Sequence, residues 1–230
     1  VLNDYAGNKG HTFLIINRLP EDCNAFLKES GEIKGSLSKR HIDAAVARCR
    51  SNGQIVTEGE RVYSKKRYES EKTVADILRA RIDVKSRYAA VPKEKIEACV
   101  AEIQEELEVE LDPLQREAVE MALCNQTSIL TGGAGCGKTT TVRFIIGVME
   151  KLSKICRISG VEIALAAPTG MAAKRMKAST GKEAKTIHKL IEYNPALPAL
   201  TLNEDNPLPY DFVIVDELSM VDIDTMAMLL

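Results

Sequence analysis

The sequence predicts an α/β layer fold with a parallel sheet, preceded by a mainly helical region. Three observations predict it. From Leu111 onward, the runs Thr127 to Thr131, Val161 to Ala167 and Phe212 to Val215 alternate with helical stretches. That is the pattern of parallel strands joined by crossover helices. The first run leads into a glycine-rich segment that opens a helix, and the last ends in two carboxylates, Asp216 and Glu217.

Residues 1–67 read as a small helical module with a hairpin. Ser38 is placed to cap a helix through Ile42, Ala45, Val46 and Cys49, which stops near Asn52-Gly53. Two extended pieces, Gln54 to Thr57 and Arg61 to Ser64, flank Glu58-Gly59-Glu60, a glycine-containing turn. Helix then hairpin is the outline of a winged-helix unit. Its recognition helix is not notably basic, so packing or protein contact is preferred to DNA contact as its role. Residues 68–110 read as a helical connector. Val74, Ile77, Leu78 and Ile82 mark one helix, and Ile96, Val100, Ile103 and Leu107 mark a second with Pro92 at its first turn. The acidic run Glu102 to Glu110 reads as a solvated face. Residues 111–230 form the α/β domain.

Composition narrows the class. The 230 residues are 45% hydrophobic, enough for a proper core. The net charge of -2 neither points to a nucleic-acid partner nor excludes one, because a local basic groove can sit on a neutral protein. There is no apolar run long enough for a membrane span and no signal-peptide pattern, so a cytoplasmic location without membrane contact is expected. The chain begins with Val1, which reads as a processed start or a fragment. Cys23, Cys49, Cys99, Cys124, Cys136 and Cys156 form no C-x-x-C pair and read as free thiols. His11, His41 and His188 stand at no ligand-like spacing to them, so zinc is not expected.

The segment Gly132-Gly133-Ala134-Gly135-Cys136-Gly137-Lys138-Thr139 fits G-x-x-x-x-G-K-T at each required place. A triphosphate must meet many backbone N–H groups at close range, so side chains are absent and unusual φ values are needed. The helix N-terminus adds a positive dipole. ATP is therefore the expected cofactor, with Lys138 reaching the β- and γ-phosphates, Thr140 the α-phosphate and the Thr139 hydroxyl ligating Mg²⁺. The run Phe212-Val213-Ile214-Val215-Asp216-Glu217 reads as a strand lying beside the P-loop strand, with Asp216 holding Mg²⁺ through water and Glu217 polarising the attacking water. These elements point to ATP and Mg²⁺ and leave open what the energy is used for.

The neighbouring segments carry a family resemblance. Leu111-Asp112-Pro113-Leu114-Gln115-Arg116-Glu117-Ala118-Val119 resembles the segment ahead of the P-loop in superfamily 1 helicases, where a glutamine reads the adenine edge. Gln115 matches that position. Residues Ile163 to Met176, with Pro168-Thr169-Gly170 at the turn, resemble helicase motif Ia, which touches the single-strand backbone. Thr186-Ile187-His188 resembles the Thr-Ile-His segment of the same proteins and sets His188 near the DNA path. Asp216-Glu217-Leu218-Ser219-Met220 is close to the motif II form of the RecD-like family, and Gly10-His11-Thr12 resembles the region ahead of its motor. The resemblance covers most of residues 111–230 and is looser before that. It departs at Ala134, Cys136, Met171 and Leu218. Met171, where arginine is common, argues against a charged DNA contact there.

The resemblance implies a RecA-like first motor domain and an ATP-dependent helicase moving 5′→3′ on single-stranded DNA in recombination and repair. Other subunits of a recombination nuclease complex are implied partners. Such helicases hold ATP between two RecA-like domains, the second supplying an arginine. Since the chain stops at Leu230, it is expected to be a fragment or to act through a partner chain, holding ATP but hydrolysing it slowly. Two further readings stand beside this one. A P-loop ATPase of another type is disfavoured by the lack of a transporter signature and, for the AAA+ class, by the Pro-Thr-Gly turn. The other is an interaction module with a regulatory or idle ATP site.

Overall fold

The computed structural model describes residues 10–32, 35–133, 135–155, 161–194, 196, 202–203 and 205–230. Ala134 of the glycine-rich loop and Cys156 lie outside them. The chain forms two compact units. One runs through Asp76 and takes in Asp222–Met228 and Leu230; the other spans Ile77–Val221 with Leu229.

In the first unit, β1 (Phe13–Ile15), α1 (Leu19–Glu29) and α2 (Lys39–Ser51) precede the hairpin of β2 (Ile55–Glu58) and β3 (Arg61–Ser64). The three strands form an antiparallel sheet in the order β1-β3-β2. Asn52 ends α2, and Gly53 follows at φ 67°. Gly59 takes φ 57° in the turn, a left-handed value at which a side chain is strained. Ser38 stands at the N-cap of α2, but its hydroxyl meets His41 Nδ1 at 3.0 Å and caps no N–H. Leu14, Leu19 and Ile42 form the buried centre, with Cys23, Phe26 and Val46 packed on it. Tyr63 is buried between the rings of Phe13 and Tyr68. The long helix α3 (Lys65–Arg81) follows β3 directly.

The short helix α9 (Ile223–Leu229) belongs to this unit through Met228. Asp222 caps it, accepting from the Thr225 N–H at 2.9 Å and the Thr225 hydroxyl at 2.7 Å. Asp224 accepts from the Ser70 hydroxyl at 2.8 Å and pairs with Lys66 at 3.2 Å, which ties α9 to α3.

The second unit is the larger α/β layer. It contains α4 (Lys93–Leu107), α5 (Pro113–Cys124), α6 (Lys138–Ile155), β4 (Ile163–Ala167), α7 (Gly170–Thr180), β5 (Ala184–Thr186), the single turn α8 (Ile187–Leu190) and β6 (Phe212–Val215). The sheet is parallel in the order β5-β4-β6. Helix α6 is apolar on most of its circumference because it is covered on most of it. Phe144, Val148, Met149 and Leu152 meet Ile96, Cys99, Val100 and Ile103 of α4 and Val119 and Leu123 of α5. Val142 and Ile146 meet Ile163, Leu165 and Ile214 on one face of the sheet. The alternate positions Ala164, Ala166, Val213 and Val215 face the opposite way, onto Ile187 and Leu190, as the two-residue strand period requires. At Gly147 helix α4 comes close: a Cβ there would lie 2.9 Å from Ile103 Cδ1.

One predicted strand does not form. Thr127 to Thr131 leads from α5 to the glycine-rich loop without pairing to any described strand, and Ile129 is 68% exposed. A β-branched run becomes a strand only where a neighbour takes its backbone N–H and C=O groups. None of the described residues does so here. For the same reason β6 has no backbone pairing with that segment; its paired neighbour is β4. Among the described residues no disulfide forms, no helix is long and apolar enough to cross a membrane, and no group of three or more His, Cys, Asp and Glu could hold a metal ion.

Candidate functional site

The glycine-rich loop is built by α5 on one side and α6 on the other. Asp112 and Gln115 form a capping box: Gln115 N–H donates to Asp112 Oδ1 at 3.0 Å, and Asp112 N–H donates to Gln115 Oε1 at 3.1 Å. The other end of the Gln115 amide crosses to the loop, where Nε2 donates to the Cys136 carbonyl oxygen at 3.3 Å. Asp-x-x-Gln before an apolar helix was the legible signal for this box, and the resemblance alone did not bring out the contact with Cys136.

Gly135 and Gly137 both take φ 77°, a left-handed conformation that a side chain resists. A Cβ on Gly132 would meet Cys136 Sγ at 2.5 Å, and one on Gly137 would run into the Gln115 amide. At Gly135 and Gly137 the backbone conformation thus favours a residue without a side chain, which suits close approach of a polyphosphate. Lys138, the first residue of α6, folds back over the loop and donates to the carbonyl oxygens of Gly132 and Gly133 at 2.7 Å each. Cys136 Sγ lies 3.8 Å from its ammonium. Gly133 stays open, with nothing near a hypothetical Cβ. Thr139 is exposed and Thr140 half-buried on the first turn. The buried Thr141 donates its hydroxyl to the Gly137 carbonyl at 3.2 Å and ties the loop to the helix.

A second group of predicted residues gathers at the C-terminal ends of the three strands. Ala166 is in register with Val215, and Asp216 N–H donates to the Ala166 carbonyl at 2.9 Å. The Pro168-Thr169-Gly170 turn and the Asp216-Glu217 pair therefore leave adjacent strands at the same edge. Thr186 is in register with Ala167, so His188 leaves β5 at that edge too. Thr169 caps α7, its hydroxyl oxygen accepting from Ala172 N–H at 3.2 Å. His188 is exposed and packs edge-on against Tyr193, ring centroids 5.3 Å apart. Met171 is 71% exposed one residue past the turn.

Asp216 Oδ1 accepts from the Glu217 N–H at 2.8 Å, and Glu217 sits at φ 55°. The Glu217 carboxylate is 4.0 Å from Arg175 Nη1 on α7. Arg175 was not singled out in the sequence; only the tertiary approach of α7 to the end of β6 distinguishes it from its neighbour Lys174. Among the described residues, no hydrogen bond or ion pair joins Lys138 or Thr139 to Asp216 or Glu217.

Comparison with known proteins agrees with this architecture. Residues 115–230 match a family model described as an AAA domain. The chain is 38% identical over 107 residues to the ATP-dependent RecD2 DNA helicase of Deinococcus radiodurans, covering 46% of this chain and 14% of that protein. It is 36% identical over 133 residues to the RecBCD enzyme subunit RecD of Mycolicibacterium smegmatis, covering 50% of this chain and 24% of that protein. A RecBCD enzyme subunit RecD of Buchnera aphidicola subsp. Schizaphis graminum aligns over 98% of this chain and 40% of its own length, at 25% identity. The chain thus spans well under half the length of these curated relatives. The Pro-Thr-Gly turn lies inside the AAA match, so it does not set this chain apart from proteins of that description. With a model matched over half its length and RecD proteins aligned on that half, the chain belongs to the AAA domain family, in its RecD-like group.

Proposed function

We propose that this chain carries the ATP-binding part of a DNA helicase that translocates 5′→3′ on single-stranded DNA in recombination and repair. Family membership implies nucleotide binding. The observation that carries the DNA reading is the parallel pairing of β4 with β6, which sets the Pro168-Thr169-Gly170 turn beside Asp216 and Glu217. A strand of DNA on that turn and a nucleotide served by those carboxylates would share one sheet edge, so each could sense the other.

In this reading Gly133, Ala134, Gly135, Cys136, Gly137, Lys138, Thr139 and Thr140 cradle the phosphates, and Gln115 reads the adenine. Lys138 exchanges the Gly132 and Gly133 carbonyls for phosphate oxygens, a charge-assisted gain. The Thr139 hydroxyl and the Asp216 carboxylate are hard oxygen donors that fit Mg²⁺, an ion held largely by phosphates and water. When bound, that ion neutralises charge on the transferring phosphoryl group. Glu217 orients the attacking water and takes up its proton as the bond from the γ-phosphorus to the ADP oxygen breaks. Pro168, Thr169, Gly170 and His188 line the DNA path.

The domain reading is a winged-helix-like module over 1–67, supported by the helix–hairpin order, a connector over 68–110 and a RecA-like domain over 111–230. Subunits of a recombination nuclease complex are the proposed partners, on the strength of relatives described as RecBCD subunits.

ATP turnover with and without a single-stranded oligonucleotide tests this reading. Slow hydrolysis that single strands stimulate, and that is lost in Glu217→Gln and Lys138→Ala, is expected. Turnover indifferent to DNA would overturn it.

A further inference from the structure

The exposed strand-end edge holds one ion pair that the proposed chemistry does not use. Glu217 follows β6 at φ 55°, its N–H held by the Asp216 carboxylate. It occupies the N-cap position of the 3-10 turn Leu218–Met220, yet its side chain caps nothing there. Among the described residues the Glu217 carboxylate has one ionic neighbour, the Arg175 guanidinium at 4.0 Å. Arg175 has no other ion-pair partner among them. It lies on α7, the helix that begins at the Pro168-Thr169-Gly170 turn and is capped by Thr169. The pair is open to solvent, with side chains 69% and 39% exposed, so an incoming anion can reach it.

From this we infer that Arg175 is a positioning residue that restrains Glu217 until DNA arrives. The inference rests on the helicase reading for the role of Glu217. Without DNA, the guanidinium draws the carboxylate toward α7 and away from the nucleotide, so Glu217 orients water poorly. A DNA phosphate at the start of α7 competes for the same guanidinium, whose planar fork suits a phosphate at least as well as a carboxylate. Glu217 is then released toward the nucleotide. The ordinary weakness of an exposed pair suits a gate, because one new phosphate contact is enough to open it.

The test measures kcat and KM for ATP in the full chain, with and without single-stranded DNA, in the wild type, Arg175→Ala and Arg175→Lys. The expected result is a DNA-free kcat raised about two- to fivefold in Arg175→Ala, the range that an exposed ion pair can govern. KM and Tm should stay at wild-type values, and the ratio of DNA-stimulated to DNA-free rate should fall. Arg175→Lys, which keeps a point charge, should lie between the two. A merely structural arginine would change Tm or lower both rates together. A DNA-free kcat in Arg175→Ala at or below wild type overturns the gate, whatever DNA does. A raised DNA-free kcat alongside a wild type that ignores DNA would support the restraint and overturn the helicase reading instead.

Discussion

The side-chain amide of Gln115 fills the space that a Cβ on Gly137 would need, and its Nε2 donates to the Cys136 carbonyl oxygen at 3.3 Å. One residue of α5 thus fixes the last bend of the glycine-rich loop. Gly137→Ala faces two obstacles. Its φ of 77° strains any side chain, at a cost of about 1–2 kcal/mol, and its methyl group displaces Gln115. Nucleotide affinity should fall at least tenfold, read by the loss of ATP-induced thermal stabilisation. Adding Gln115→Ala removes the collision but neither the strain nor the need for the proposed adenine contact, so the double variant should recover at most part of the affinity. Full recovery would show that the φ value is unimportant.

Gly147 is a separate glycine with a packing role. It lies on α6 where Ile103 of α4 approaches to 2.9 Å of a hypothetical Cβ. Gly147→Val overpacks this contact and should destabilise by about 1–3 kcal/mol. Ile103→Ala in the same background should offset part of that loss, although alone it costs about 2–5 kcal/mol as a cavity. Chemical denaturation of the four-member cycle measures the coupling.

Asp222 gives a pH dependence. Burial opposes its ionisation, but hydrogen bonds from the Thr225 hydroxyl and backbone N–H groups outweigh that and hold the carboxyl below the usual range. A folded-state value below the unfolded value of about 3.9 means the stabilisation is present above about pH 4 and is lost as the pH falls through the folded value. Asp222→Asn keeps a capping side chain without the charge. Its Tm should lie below that of the wild type at pH 7, with the gap closing below about pH 4. A gap unchanged between pH 7 and pH 3 would contradict the assignment. The effect is small because the site is largely open to solvent.

Removing the Lys151 amine should report on α4 docking. Its ammonium donates to Glu102 at 2.7 Å and Glu106 at 2.8 Å, hydrogen bonds that push its pKa above the usual lysine range. Lys151→Met keeps the stem and leaves two facing carboxylates unpaired. A modest drop in Tm, smaller at high salt, is expected from melts at two ionic strengths. A salt-independent drop would instead point to lost packing.

Several features were legible because they are local. The hairpin around Gly59, the stop at Asn52-Gly53 and the helix opening at Lys138 depend on backbone preferences within a few residues. The strands Ile163–Ala167 and Phe212–Val215 were legible because buried parallel strands are apolar runs. Thr127 to Thr131 is likewise rich in β-branched residues but finds no strand partner among the described residues, since pairing depends on what the rest of the chain brings alongside. The glycine-rich motif and the carboxylates of Asp216 and Glu217 were likewise written in the sequence as residue types at set places. That Asp216 would leave the sheet beside Thr169, that Gln115 would reach Cys136 and that Arg175 would face Glu217 was decided only in three dimensions. Each is a contact between segments whose spacing along the chain carries no periodic signal. Sequence by itself determined which groups are available for phosphate chemistry; the parallel register of β4 with β6 and the packing of α5 on α6 decided which of them meet.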